Sequence, residues 1–177
     1  MSTSATLLTV ADFLNIPDPA EGHLELHHGE PVVMPPPTWG HRLLQSRIAS
    51  LLEAQLGETG IVMTGMFFRP TPEYELWQAD VGYVTTERVA LIGGEKYLMG
   101  APDLVVEVLS PSNTAQEIHD RQSICMSNGC LSFWVVNDRR KVISISEGDV
   151  TKHYRASSRL QCSLLAAESI AVADIFV

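Results

Sequence analysis

Residues 102–112 read "PDLVVEVLSPS", which places one carboxylate, Glu107, in the middle of the otherwise apolar stretch Leu104–Leu109. The run reads as a buried strand. Side chains alternate along a strand, so Val105, Glu107 and Leu109 share one face and Leu104, Val106 and Val108 the other. Glu107 therefore sits among apolar neighbours on its own face as well as in sequence. An unpaired buried charge costs several kcal/mol, on the order of a domain's whole stability margin. An acid in this place needs a cation, a hydrogen-bond donor or a proton.

Working outward, the preceding strand-like run carries a second acid in the same predicament. In "WQADVGYV" Asp80 stands between Ala79 and Val81, and the connection to Glu107 is long enough for the two strands to lie side by side. Two neighbouring carboxylates repel each other unless a divalent cation lies between them, and two carboxylates, a backbone carbonyl and water are the hard oxygen ligands that Mg²⁺ takes. The competing reading treats each acid alone, as a salt-bridged or strand-end residue without a metal.

The rest of the chain supplies the frame. Thr9 caps a short helix running to about Asn15, with Asp12 completing a capping-box pattern. "LELHHGEPVVM" alternates on either side of Gly29, as a tight hairpin does, and "PPP" at 35–37 closes it off. From Thr38 to Leu56 the residues Leu43, Leu44, Ile48, Leu51, Leu52 and Leu56 form one helical stripe, and Gly57 supplies a stop. "IVMTGMFFRP" and "LWQADVGYVT" are strands joined by a Pro-containing turn at 70–75, and "ERVALIGGEKYLMG" is a loop with a helical turn. A helix from about Thr114 to Ser127 ends at "NG", followed by a strand "LSFWVV", a turn "NDRR" and a strand "KVISIS". The tail "LLAAESIAVADIF" suits helix and strand equally. Helical and strand periods interleave, which predicts a mixed α/β (α+β) fold: a central mixed β-sheet flanked by helices. Residues 1–177 are expected to form a single domain.

Composition narrows the function classes. The chain has 177 residues, 45% hydrophobic and 19% charged, as expected of a globular protein. No apolar stretch approaches the roughly 20 residues that span a bilayer, and no basic region precedes a hydrophobic one at the N-terminus, so the cytoplasm is the expected location and no membrane partner is expected. Cys125, Cys130 and Cys162 are odd in number and lack a C-x-x-C pair, which suggests neither a disulfide framework nor a zinc site. The net charge of −9 argues against a broad nucleic-acid-coating surface but leaves room for a local basic groove. Arg139, Arg140, Lys141, Lys152, Arg155 and Arg159 cluster late in the chain, as a solvated hairpin face or as a phosphate-contacting rim. His23, His27, His28, His119 and His153 are expected at the solvated surface. Met34, Met63, Met66, Phe67, Phe68, Trp77 and Trp134 are expected in the core.

The ordered set "LELHHGEPVVMPPPTWGHR", "QADVGYV", "GAPDLVVEVLSPS" and "NGCLSFWVV" resembles a widespread family of inferred endonucleases, first catalogued as a domain of unknown function, within the PD-(D/E)XK restriction-endonuclease-like superfamily. The similarity spans residues 20 to 147. It implies a restriction-endonuclease-like core and Mg²⁺- or Mn²⁺-dependent cleavage of nucleic acid, DNA rather than RNA. Many members of the superfamily act as dimers, which makes a homodimer an expectation by resemblance. Asp80 and Glu107 match the motif acids and, with the Val108 carbonyl, would hold the metal. Leu109 stands where the superfamily has its Lys; the family displaces that Lys onto the following helix, where Arg121 matches it and would stabilise charge on the phosphorane. Glu117 matches a family Asp, Glu30 a family Glu that would reach the metal or its water, and His41 a family His that would touch a phosphate or the attacking water. The long helix from Thr38 is expected to cover the opposite side of the sheet or its edge.

Some positions depart from the pattern. "QADV" lacks the usual proline, "GCLSFW" replaces Gly-x-Pro-x-aromatic-Trp, and Cys125 replaces a Tyr. Arg121 keeps its charge and cannot serve as a base where a lysine can. The alternative to an endonuclease is accordingly a catalytically degenerate nuclease-fold protein that acts as a binding or regulatory module.

Overall fold

The structure is a computed structural model describing residues 7–111, 113–166 and 170–176. Ser112, which closes the run quoted first, and 167–169 of the tail lie outside the described residues. In chain order the elements are α1 Val10–Phe13, β1 His23–His27, β2 Glu30–Met34, α2 Trp39–Leu56, β3 Gly60–Arg69, β4 Trp77–Thr85, α3 Thr86–Leu91, β5 Leu98–Met99, β6 Leu104–Val108, α4 Ala115–Ser127, β7 Ser132–Asn137, β8 Val142–Glu147, β9 Val150–Arg155 and α5 Val172–Ile175. β1 and β2 form a hairpin whose turn residues His28 and Gly29 both have positive φ, 52° and 78°. That is the turn geometry whose twist suits a two-residue hairpin. The other seven strands form one mixed sheet in the order β5-β3-β4-β6-β7-β8-β9, in which β6 runs parallel to β7 and antiparallel to β4.

Each face of the sheet buries its own cluster. On one side Leu44, Ile48, Leu52 and Leu56 of α2 pack with Leu104, Val106, Val108, Trp134 and α5. On the other, Cys125 of α4 packs with Met66, Phe68, Trp77, Val105 and Phe133. Phe133 and Trp134 are consecutive and both fully buried, so β7 anchors both clusters at once. At the hydrophobic coefficient of roughly 25 cal/mol per Å², such large side chains dominate the driving force for folding.

The pleat fails at one place, and that place positions the site. Trp77, Ala79, Val81 and Tyr83 would share a face in a regular strand, yet the first two join the α4-side cluster and the last two the α2-side cluster. The same slip occurs on β3, where Val62 packs on the α2 side and Met66 on the other. The pairing register is unbroken, with Thr64 opposite Val81 and Met66 opposite Ala79. The slip centres on Asp80 and on Gly65 across from it, whose φ of +62° glycine adopts without steric cost.

Several expectations need correction. Leu43 is 51% exposed and lies off the α2 stripe, which is formed by Leu44, Ile48, Leu52 and Leu56. β5 and β9 add two strands that alternation does not reveal: β5 has two residues, and β9 is an edge strand with a single buried residue, Tyr154. Met63 is 49% exposed instead of lying in the core. In the ambiguous tail, residues 172–175 are helical. Among the described residues, no helix is long and apolar enough to cross a membrane.

Candidate active site

β4 and β6 separate one step before Asp80 would face Glu107. Their ladder runs from Tyr83–Leu104 to Val81–Val106 and stops there. The Asp80 carboxylate fills the opening: its Oδ2 accepts from the Val108 backbone N–H at 2.6 Å, taking the place of a strand carbonyl. Its Oδ1 accepts from Gln45 Nε2 at 2.6 Å and lies 2.9 Å from His41 Nε2. Gln45 and His41 stand four residues apart in the first turns of α2, on one face. Thr38 caps that helix by accepting from the His41 backbone N–H at 3.3 Å. α2 therefore supplies Gln45 to the site beside His41, the α2 residue expected from sequence.

Glu107 faces the other layer, and its partner is a cation on α4. Arg121 Nε donates to Glu107 Oε1 at 2.9 Å and its Nη1 to Glu25 Oε2 at 3.1 Å, while its Nη2 donates to the Gln78 carbonyl. The guanidinium lies 5.0 Å from the Trp77 ring centroid, a cation–π contact, and the side chain is only 11% exposed. This answers how the strand carries its acid. Arg121, read in sequence as facing a phosphorane, is committed to two carboxylates, a carbonyl and an aromatic face.

Glu25 is the acid that sequence reasoning missed. On β1 it is flanked at i±2 by His23 and His27, whose Nε2 atoms lie 3.4 and 2.8 Å from its carboxylate oxygens. Both rings are part-buried against aromatics, His23 on Phe67 and His27 on Trp77, rather than solvated. The signal was present: Glu25 sits between Leu24 and Leu26 in an alternating strand, the pattern that singled out Glu107. Glu30, the residue chosen instead, pairs with His27 across the hairpin, is exposed, and makes no hydrogen bond or ion pair with the cluster among the described residues.

Glu117 is also reassigned. Its carboxylate accepts from the Thr114 backbone N–H at 2.8 Å while Thr114 Oγ1 accepts from the Glu117 N–H at 3.2 Å, a capping box that opens α4. These bonds hold its carboxyl below the usual range. Thr114→Ala is expected to cost about 1 kcal/mol, read as a lower urea midpoint.

Two acids sharing one cation do not titrate alike. Burial opposes ionisation of Glu25, but Arg121 and the two imidazoles outweigh it and hold this carboxyl well below the usual range. Burial, reinforced by the charges of Asp80 and Glu25, pushes Glu107 up to about 8 against the pull of Arg121. Burial disfavours the charge of Arg121, yet its two carboxylates keep the guanidinium protonated above its ordinary value. A raised folded-state carboxyl contributes stability that is present below its unfolded value near 4.5 and lost as pH rises through about 8. Glu107→Gln, which mimics the protonated acid, is therefore expected to gain on the wild type between pH 5 and about 8. Urea midpoints at the two ends of that window measure it, and equal pH slopes for both proteins would refute it. The thiols are inert by comparison: Cys125, Cys130 and Cys162 are buried, and burial pushes Cys130 up to about 12.

The donor set fits a hard cation. Asp80 offers a carboxylate and Glu107 an Oε2 with no partner among the described residues. A strand residue's N–H and C=O project to the same side, which places the Val108 carbonyl on the Asp80 side. Among the described residues no three His, Cys, Asp or Glu side chains converge as a closed cage. Mg²⁺ does not require one, since it commonly binds through one or two carboxylates and retains water.

A sequence profile for Uma2, described as "Putative restriction endonuclease", matches residues 10–172. Among curated proteins none matches the chain. A solved structure described as "a putative nuclease belonging to DUF820 from Anabaena variabilis ATCC 29413" aligns with a TM-score of 0.78 at 16% identity, over 96% of this chain and 97% of that one. At that identity the likeness establishes the fold alone, a mixed sheet flanked by helices.

Proposed function

The chain belongs to the Uma2 family, and on that premise we propose that it is a divalent-metal-dependent endonuclease that hydrolyses DNA phosphodiester bonds. The observation that carries the reading is the carboxylate of Asp80 filling the gap between β4 and β6, opposite the strand acid Glu107. An ordinary sheet has no use for such an opening. Asp80, Glu107 and the Val108 carbonyl would hold Mg²⁺ or Mn²⁺, which when bound acidifies a water and neutralises charge on a non-bridging phosphate oxygen.

The chain's own residues do the positioning. His41 and Gln45 hold Asp80 from the α2 side, and Val108 N–H holds it from β6. Arg121 fixes the Glu107 rotamer and keeps Glu25 paired, so neither acid swings out to solvent. Trp77 covers the guanidinium and keeps water from it. Arg121 takes no proton, which leaves the lysine position of the superfamily without a base. That one observation favours the second reading, a binding or regulatory module on a nuclease scaffold.

Purified protein is expected to nick supercoiled DNA in the presence of Mg²⁺ or Mn²⁺ and to bind the ion by calorimetry. Absence of both would sink the endonuclease reading and leave the binding module. Cleavage of RNA alone would sink the DNA substrate while keeping the hydrolase.

A further inference from the structure

Resting on the nuclease reading above, we propose that an open groove across β7, β8 and β9 is a track for the sugar–phosphate backbone of the substrate strand next to the scissile bond, with Arg140, His153 and Arg155 contacting phosphates. Cross-strand register places the groove in line with Glu107. Glu107 is opposite Val135, Val135 opposite Ser144, and Ser144 opposite His153, so these four side chains form one row on the face that carries Glu107. The next row runs from Asn137 through Val142 to Arg155. Residues of both rows beyond Glu107, with Leu109 and Arg140, line a groove of about 490 Å³. From β6 to β9 the row crosses three strand spacings, about 14 Å. At the roughly 3.4 Å rise per nucleotide of a B-form strand, that is about four nucleotides.

The lining suits a polyanion. Val135, Val142 and Leu109 make an apolar floor, and three basic side chains stand along it. The Arg140 and Arg155 side chains are exposed and form no ion pair or hydrogen bond among the described residues. Lys141, by contrast, is neutralised by Asp138 at 2.6 Å. His153 Nδ1 lies 2.7 Å from Ser144 Oγ, which fixes the ring and leaves Nε2 for a ligand. In a chain of net charge −9, two arginines gathered in a concavity on the face of Glu107 concentrate positive charge locally against a net charge that repels nucleic acid. The late basic cluster thus divides by strand alternation: His153 and Arg155 face the groove, while Lys152 points to the other side of β9.

The test uses a fluorescein-labelled single-stranded oligodeoxynucleotide of about 15 nucleotides, without divalent metal, titrated by anisotropy across roughly 50 to 200 mM salt. Arg140→Gln/Arg155→Gln is compared with Lys96→Gln/Lys152→Gln, which makes the same change in net charge at exposed positions outside the groove. Loss of two phosphate contacts is expected to weaken binding about tenfold at roughly 0.1 M salt and to flatten the log–log salt slope by about 1.4. The control pair is expected to leave the slope unchanged. Equal effects of both pairs, no effect of the groove pair, or no binding by wild type would each overturn the track. Cleavage is scored separately with Mn²⁺: a wild type that binds through the groove but never cuts would sink the endonuclease reading and leave the track standing.

Discussion

Arg121→Ala is expected to destabilise the fold by about 3–5 kcal/mol, measured as a fall in the urea midpoint. The magnitude follows from what the substitution leaves behind. Glu25 is 2% and Glu107 12% exposed, and both lose the one guanidinium that pairs with them among the described residues. The Gln78 carbonyl and the Trp77 face lose a donor and a packed cation as well. Two further variants separate charge from packing. Arg121→Lys keeps the cation but not the fork of donors and is expected to recover part of the loss. A triple variant, Glu25→Gln, Glu107→Gln and Arg121→Met, removes the Arg121 and Glu25 charges together with the ionisable Glu107 and is expected to recover most of it, since uncharged replacement of a buried ion cluster is often near neutral. A triple variant as unstable as Arg121→Ala would refute the electrostatic account.

Asp80→Asn is expected to reduce DNA cleavage by about 10³-fold, the factor that several kcal/mol of lost metal-centred stabilisation represents. The fold is expected to survive, and the reason lies in the three partners. Val108 N–H can only donate, so the remaining oxygen of the new amide stays there. His41 can change tautomer and Gln45 can turn its amide, and each then accepts from the new –NH₂ group. Undiminished cleavage with retained fold would remove Asp80 from the reaction.

How much of this was legible in the sequence depends on the length scale of the interaction. Asp80 and Glu107 announced themselves because an acid within an apolar strand violates a local rule. Glu25 breaks the same rule between Leu24 and Leu26, but the acid that matches a family position is Glu30, five residues along on the exposed strand of the hairpin. Gln45 gave no signal, since a neutral amide on a helix is unremarkable until the gap beside Asp80 is seen. Helical spacing put Arg121 and Glu117 on one face of α4, yet no periodicity says whether a long guanidinium reaches outward to a phosphate or inward to Glu107, Gln78 and Glu25. The strands were legible where apolar runs alternate and were lost at the two-residue β5 and at β9, whose six residues bury only Tyr154. The slip in pleat at Gly65 and Asp80 was hidden because alternation in sequence assumes the regular pleat that fails there.

The contacts of Arg121 join residues 14, 43 and 96 positions away along the chain. Closing the longest of these loops costs the most chain entropy, so the guanidinium is expected to dock late in folding, which the refolding and unfolding rates of Arg121→Ala would check. An interaction absent from the transition state acts on the rate of unfolding and scarcely on the rate of folding. On that expectation Arg121→Ala shortens the lifetime of the folded chain more than it slows folding, read as faster proteolysis when cleavage outpaces reclosing.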